Sequence, residues 1–149
     1  MGYGDVYVAQ VAMGASDMQT VKAIKEAEAY DGVSIVIANS PCIAHGYDMK
    51  YGFKHQKLAV DSGYWPMYRY NPDNIALGKN PLKLDYKAPK IPIEDYVYTE
   101  NRFRMLTKSH PDRAKELLKL AQTSVDSVWR EYSHMASLDF SKKDEEEKA

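Results

Sequence analysis

Apolar side chains gather in two short runs near the start of the chain, and the residues between the runs follow a different period. From Asp5 to Met13, Val6 and Val8 alternate with Tyr7, Ala9, Val11 and Met13, so both faces of an extended segment are largely apolar. That is the pattern of a strand covered on both sides. Gly14-Ala15-Ser16 breaks the run, and Ser16 with Gln19 three residues on forms a capping-box signature for a helix start. Val21, Ile24 and Ala27 follow at helical spacing, with Lys22, Lys25 and Glu26 on the other side, until Asp31-Gly32 ends the helix. Val33 to Asn39 is the most apolar run of all and reads as a second strand buried on both sides. A strand-helix-strand unit over residues 5–39 predicts parallel strands joined by a right-handed crossover.

Beyond these strands the signals are more local. A short helix is expected at His55 to Ser62, ended by Gly63, and Tyr64 to Tyr70 is aromatic enough for a strand, with Pro66 pointing to an edge position or a bulge. Between Asn71 and Pro92 four prolines exclude a continuous helix or a central strand. That stretch is expected to lie extended over the surface, with one short strand near Leu82 to Tyr86. Ile93 to Leu106 can form one helix. Ser109-His110-Pro111-Asp112 announces another, with Ser109 or His110 as cap and Pro111 in the first turn, where its missing N–H costs nothing. Ala114, Leu118, Ala121, Val125, Val128, Tyr132 and Met135 then recur at steps of four and three, a seam that packs on a partner helix or a sheet. Ser141 to Ala149 is charged, has nothing to bury and reads as a solvated tail.

Composition narrows the function classes. The chain has 149 residues, enough for one sizeable core plus an appendage. Its 20 Lys and Arg against 21 Asp and Glu leave a formal charge of -1, so no overall field recruits nucleic acid or anionic lipid. No apolar stretch approaches the ~20 residues of a membrane span, and the first residues lack the basic and apolar regions of a signal peptide. An intracellular, cytoplasmic protein is the expectation. The one cysteine cannot form an internal disulfide.

That cysteine lies in Ser40-Pro41-Cys42-Ile43-Ala44-His45-Gly46, directly after the second apolar run, where a buried strand ends and a loop opens. Ligands of open parallel sheets bind just beyond the carboxyl ends of the strands, where loops vary over a rigid frame. Pro41 fixes one φ angle and Gly46 permits conformations closed to other residues, so Cys42 is held between two constraints. Cys42 with His45 has the residue types of a thiolate nucleophile and its base, but such partners are usually distant in sequence, and a packed structural thiol fits the same residues. A metal or cluster site needs about four ligands, of which one cysteine supplies one. Tyr47, Tyr51, Tyr64, Tyr68 and Tyr70 read as a stacking surface or as simple packing, the latter better suited to this charge balance.

A family resemblance bears on the choice. Gly4 to Ala15, Lys22-Ala23 with Glu26-Ala27-Glu28-Ala29-Tyr30, the loop Ser40 to Gly46, Lys57 to Tyr70 and Gly78-Lys79-Asn80-Pro81 occur in order over about half the chain. Together they resemble the C-terminal end of the pyruvate:ferredoxin (flavodoxin) oxidoreductases. The resemblance implies an α/β fold, the parallel-sheet half of a thiamine diphosphate-binding domain with a C-terminal helical extension. Residues 1–92 would be the domain half, 93–140 the helices and 141–149 the tail. It also implies a large cytoplasmic enzyme, a homodimer when complete, that uses thiamine diphosphate with Mg2+ to decarboxylate pyruvate. Electrons pass through [4Fe-4S] clusters to ferredoxin or flavodoxin while coenzyme A takes the acetyl group. In this family the cysteine of the Pro-Cys-Ile loop is similar to the distant fourth ligand of the cluster nearest the thiamine, a role that would fall on Cys42.

The departures have consequences of their own. No Cys-x-x-Cys occurs here, and the family's Gly-Asp-Gly to Asn segment, which holds Mg2+ and diphosphate, would lie upstream of this chain. The chain is therefore expected to be a fragment or one subunit of a split enzyme, completed by the remainder of the oxidoreductase. Alone it would bind no cofactor and be catalytically silent. The competing reading is a structural or interaction piece, with Cys42 a packed thiol and the C-terminal helices a docking arm.

Overall fold

The computed structural model describes residues 4–141, so all but Ser141 of the expected tail lies outside the described residues. Strands β1 (Tyr7–Val11) and β2 (Ser34–Ala38) flank helix α1 (Asp17–Ala29). They pair in parallel, with register from Tyr7↔Ser34 to Val11↔Ala38. The expected crossover unit is present. Strand β3 (Tyr68–Tyr70) runs antiparallel on the other side of β1, and β4 (Leu82–Leu84) runs antiparallel to β3, giving the order β2-β1-β3-β4. The fold class is α/β as expected, but the sheet is mixed rather than wholly parallel.

The two first strands fare differently. β1 is central, and Tyr7, Val8, Ala9 and Val11 are buried. β2 is an edge strand on which Ile35, Val36 and Ile37 are 43%, 37% and 40% exposed, which corrects the expectation that both strands are covered on both sides. The run is apolar because its residues suit a covered strand; among the described residues no strand pairs with its outer edge, and α1 covers it only in part.

Helix α1 begins where Ser16 Oγ accepts from Gln19 N–H at 3.2 Å. Only half of the capping box forms, because Gln19 Nε2 turns away to donate to Asp85 Oδ2 at 3.1 Å. The helix faces the sheet with Thr20 and Ala23, with Ala27 packing beside them, and leaves Val21 and Ile24 exposed. Of the expected apolar stripe, Val21 and Ile24 are thus turned outward and only Ala27 packs inward. The inward face is chosen by small side chains and by polar groups with partners: the Tyr7 hydroxyl donates to the Ala23 carbonyl at 3.2 Å and to Glu26 Oε2 at 3.1 Å. Arg69 binds Asp85 through two nitrogens, at 2.7 and 2.8 Å, and also pairs with Glu26. Both partners hold the Arg69 guanidinium well above its usual range, Asp85 the more strongly.

Helix α2 (Gly52–Asp61) starts three residues earlier than expected. Pro66 does not mark an edge, since β3 is interior; it lies ahead of the strand, and its carbonyl accepts from Gln10 Nε2 at 2.8 Å. The proline-rich stretch contains a single-turn helix α3 (Asp73–Ala76) and the expected strand β4.

The helix expected over 93–106 is broken into α4 (Ile93–Val97) and α5 (Asn101–Ser109), with Tyr98 to Glu100 between them. Helix α6 (Pro111–Ser137) follows, with His110 as its cap residue and Pro111 in the first turn. Its seam covers the sheet face opposite α1: Tyr132 meets Tyr68 edge-on at 5.5 Å between ring centroids, and Trp129 meets Tyr86 at 5.1 Å. Burial there pushes the Tyr86 phenol up to about 12. Ala114 and Val125 are fully covered, with Val125 joining Ala59, Ile93, Tyr96 and Val97 in one apolar cluster.

Candidate functional site at the strand ends

The carboxyl ends of β1 and β2 open on one side of the sheet. The chain leaves β1 through Ala12 to Ser16 and β2 through Asn39 to Asp48, and one side chain of α2 joins the two exits. Gln56, buried, accepts from the Gly14 N–H at 2.6 Å and donates to the Asn39 carbonyl at 2.8 Å. Trp65 adds a third tie, its indole N–H reaching the Val11 carbonyl at 3.0 Å. The Gln56 amide satisfies backbone groups that the sheet leaves open where it ends, and the Trp65 indole is a second donor to a carbonyl that already accepts from the Asn39 N–H at 2.9 Å. The loop holding Cys42 therefore springs from a fixed base.

Cys42 is extended (φ -139°, ψ 125°) and precedes a single 3-10 turn, Ile43–His45, which Gly46 closes in the left-handed region at φ 75°. The constraint expected of Gly46 is present. The thiol is partly exposed and free. His45, the neighbour considered as its base, instead directs Nδ1 toward Glu100 at 3.5 Å. The structure thus gives His45 a carboxyl partner.

Glu100 is the centre of the site and was not foreseen. Its side chain is 0% exposed, and its carboxyl is met by His45, by His55 Nε2 at 3.1 Å, by the Tyr96 hydroxyl at 3.2 Å and by Arg102. The His55 contact is close but not aligned for a hydrogen bond. Tyr47 lies flat on the His55 ring, centroids 3.9 Å apart and planes 15° from parallel, and Tyr96 tilts against its other side at 4.9 Å. Burial holds the His55 imidazole below its ordinary range, an effect that Glu100 partly offsets. Burial likewise raises the Tyr47 phenol, partly offset by the backbone amide of Cys42. The tyrosine series is therefore divided: Tyr47 and Tyr64 belong to this cluster, Tyr68 to the sheet core.

One signal for Glu100 was present in the sequence. On the helical face Ile93, Tyr96, Val97, Phe103, the position between Val97 and Phe103 is Glu100, a carboxylate at a core address. Beside the cluster a cavity of about 500 Å3 is lined by Gly46, Tyr47, Tyr51, Lys54, Asn101 and Arg104, among others.

The donor set limits what a metal could find here. Among the described residues no three His, Cys, Asp or Glu side chains are grouped to hold an ion. Cys42 is one partly exposed, free thiol on a braced loop, one donor where a metal or cluster site needs about four. No described helix is long and apolar enough to cross a membrane.

No family model matches the chain. It is 57% identical over 137 residues to a pyruvate-flavodoxin oxidoreductase of Trichormus variabilis, covering 92% of this chain and 12% of the relative. It is 56% identical over 137 residues to a pyruvate-flavodoxin oxidoreductase of Nostoc sp., covering 92% of this chain and 11% of the relative. A pyruvate:ferredoxin oxidoreductase of Moorella thermoacetica is 47% identical over 136 residues, 91% of this chain and 12% of that protein. The chain spans about one eighth of the length of the curated relatives it matches.

Proposed function

We propose that this chain, a homologue of one segment of the pyruvate-flavodoxin and pyruvate:ferredoxin oxidoreductases, works as part of such an enzyme and carries no complete active site of its own. The observation that carries the reading is the match itself, 57% identity over 92% of the chain but only 12% of the relative. In this reading the whole enzyme oxidises pyruvate and passes electrons to flavodoxin or ferredoxin. Thiamine diphosphate, Mg2+ and most cluster ligands come from the rest of the polypeptide.

Two structural features support it. Among the described residues no strand pairs with the outer edge of β2, which also presents the exposed side chains Ile35, Val36 and Ile37, a surface that a further strand and its covering layer would bury. The remainder of the oxidoreductase is the occupant we assign to it. Next to that edge, Cys42 stands at the strand-end loop, where a thiolate can complete a [4Fe-4S] site whose other ligands lie outside this chain. A bound cluster supplies one-electron transfer; the part of this chain is to hold one iron and to brace the loop that does so.

Reconstitution tests the reading. The Trichormus variabilis relative, deleted for the matching segment, is combined with this chain and assayed for pyruvate-dependent reduction of flavodoxin or ferredoxin. Activity that appears only with both components is expected. Stable association of the two without activity would leave the structural role and remove the catalytic one.

A further inference from the structure

The break between α4 and α5 has a geometric result: it turns Glu100 inward and brings the start of α5 against the end of the Cys42 loop. Three contacts make that junction. Glu100 is the cap residue of α5 but its side chain makes no capping bond. The Asn101 N–H, a helix-start donor without an intrahelical partner, goes instead to the Gly46 carbonyl at 3.2 Å. A β-carbon on Gly46 would stand 2.7 Å from Asn101 Cβ, so the two segments are in direct contact. The third is the Glu100 carboxyl itself, shared between His45 of the loop, His55 of α2, Tyr96 of α4 and Arg102 of α5.

We propose that Glu100 is a positioning residue for Cys42: the C-terminal helices reach back through it and clasp the Cys42 loop at His45 and Gly46. Within the enzyme reading above, this gives the helices a part in presenting the thiolate; the clasp itself does not depend on that reading. A carboxyl placed wholly inside the protein is costly unless its neighbours satisfy it. An apolar residue at position 100 would serve the core alone. The four partners from three helices and one loop show what the carboxyl does instead, which is to join them. Cutting the link should free the loop while the sheet stays intact, because Gln56 and Trp65 hold the strand ends independently.

Cys42 is the only cysteine in the sequence, so its modification reports the loop alone. The 149-residue chain is treated with 5,5′-dithiobis(2-nitrobenzoic acid), and the thiol rate is compared with amide hydrogen exchange in β1. The Glu100 carboxyl is held by hydrogen bonds from Tyr96 and Arg102 and meets the loop through its 3.5 Å contact with His45, so weakening it in Glu100→Gln should raise the thiol rate by ~10-fold or more with β1 exchange unchanged. His45→Ala should do the same, and the double variant should exceed neither single one by much, since both cut one link. An unchanged thiol rate in Glu100→Gln overturns the proposal, and so does a rise matched by β1 exchange, which is general unfolding. If Glu100→Gln does not fold, His45→Ala, on a half-exposed side chain, decides by the same two criteria. Failure of iron to bind in the assembled enzyme would count against the enzyme reading and leave these rates as they are.

Discussion

Gly14 lies so close to Phe53 that a β-carbon at position 14 would stand 2.5 Å from the Phe53 Cα and 2.6 Å from its carbonyl oxygen. Neither atom belongs to a side chain that could swing aside. The contact sets how near α2 approaches the end of β1, and the Gly14 N–H to Gln56 bond depends on that approach. Gly14→Ala should therefore cost about 1–3 kcal/mol, the usual range for forced overpacking. Urea unfolding checks this, and a midpoint equal to the parent's would mean that the two segments separate without cost.

The Arg69 network separates buried from half-exposed charge. Arg69→Met removes the cation from Asp85, which is 10% exposed at its side chain, and so leaves a carboxylate largely shielded from water without its partner. A loss of about 3–5 kcal/mol is expected, as for other broken buried pairs. Glu26 is 32% exposed, and Glu26→Gln should cost ~1 kcal/mol or less, because water replaces much of the lost interaction. Equal losses for the two variants in chemical denaturation would refute this ordering.

Much of this architecture was legible in the chain. The apolar runs at 5–13 and 33–39 gave two parallel strands and their crossover, and the seam from Ala114 to Tyr132 gave the long helix. What pattern could not supply was context. A hydrophobic run says that a strand is suited to being covered and is silent on whether a cover is there, which is why β2 was misjudged. The α1 face was misread because alanines and hydrogen-bonded polar residues pack closer to a sheet than Val21 and Ile24 do. For Glu100 the period showed only a carboxylate at a core address; its four partners are spread from residue 45 to residue 102, and periodicity reports only neighbours on one helix. For Cys42, its place on a constrained strand-end loop was readable, and its braces, Gln56 and Glu100, were not.

His55 gives a pH dependence with a definite sign. Its folded-state value lies below the ordinary 6.5, chiefly through burial. Above that ordinary value the imidazole is neutral whether the chain is folded or not, and the full stability is present. As pH falls below about 6.5, the unfolded chain takes up a proton that folded His55 refuses, so stability drops until the folded value is reached. Melting temperature should decline between pH 7 and pH 5, and the slope should be shallower in His55→Phe, which keeps a ring to stack on Tyr47. An identical slope in the variant would assign the effect to other groups.

The last prediction concerns Cys42→Ser in the assembled oxidoreductase. If the thiolate is a cluster ligand, serine removes a soft sulfur donor and offers a poorer hard oxygen one, so the site should lose iron or assemble incompletely. Pyruvate decarboxylation should survive better than electron delivery to flavodoxin or ferredoxin, because the two rely on different groups. A packed thiol makes the opposite demand: the added hydroxyl would cost on the order of 1–3 kcal/mol if it found no partner, and the iron content would stay whole. The partial exposure of Cys42 makes even that cost small, since water reaches the loop. Iron analysis and electron paramagnetic resonance of the dithionite-reduced variant therefore separate the cases, and a full complement of cluster signals would end the ligand assignment. Because Glu100 and Gln56 still brace the loop in this variant, any loss of iron would be traceable to the sulfur atom and not to a displaced backbone.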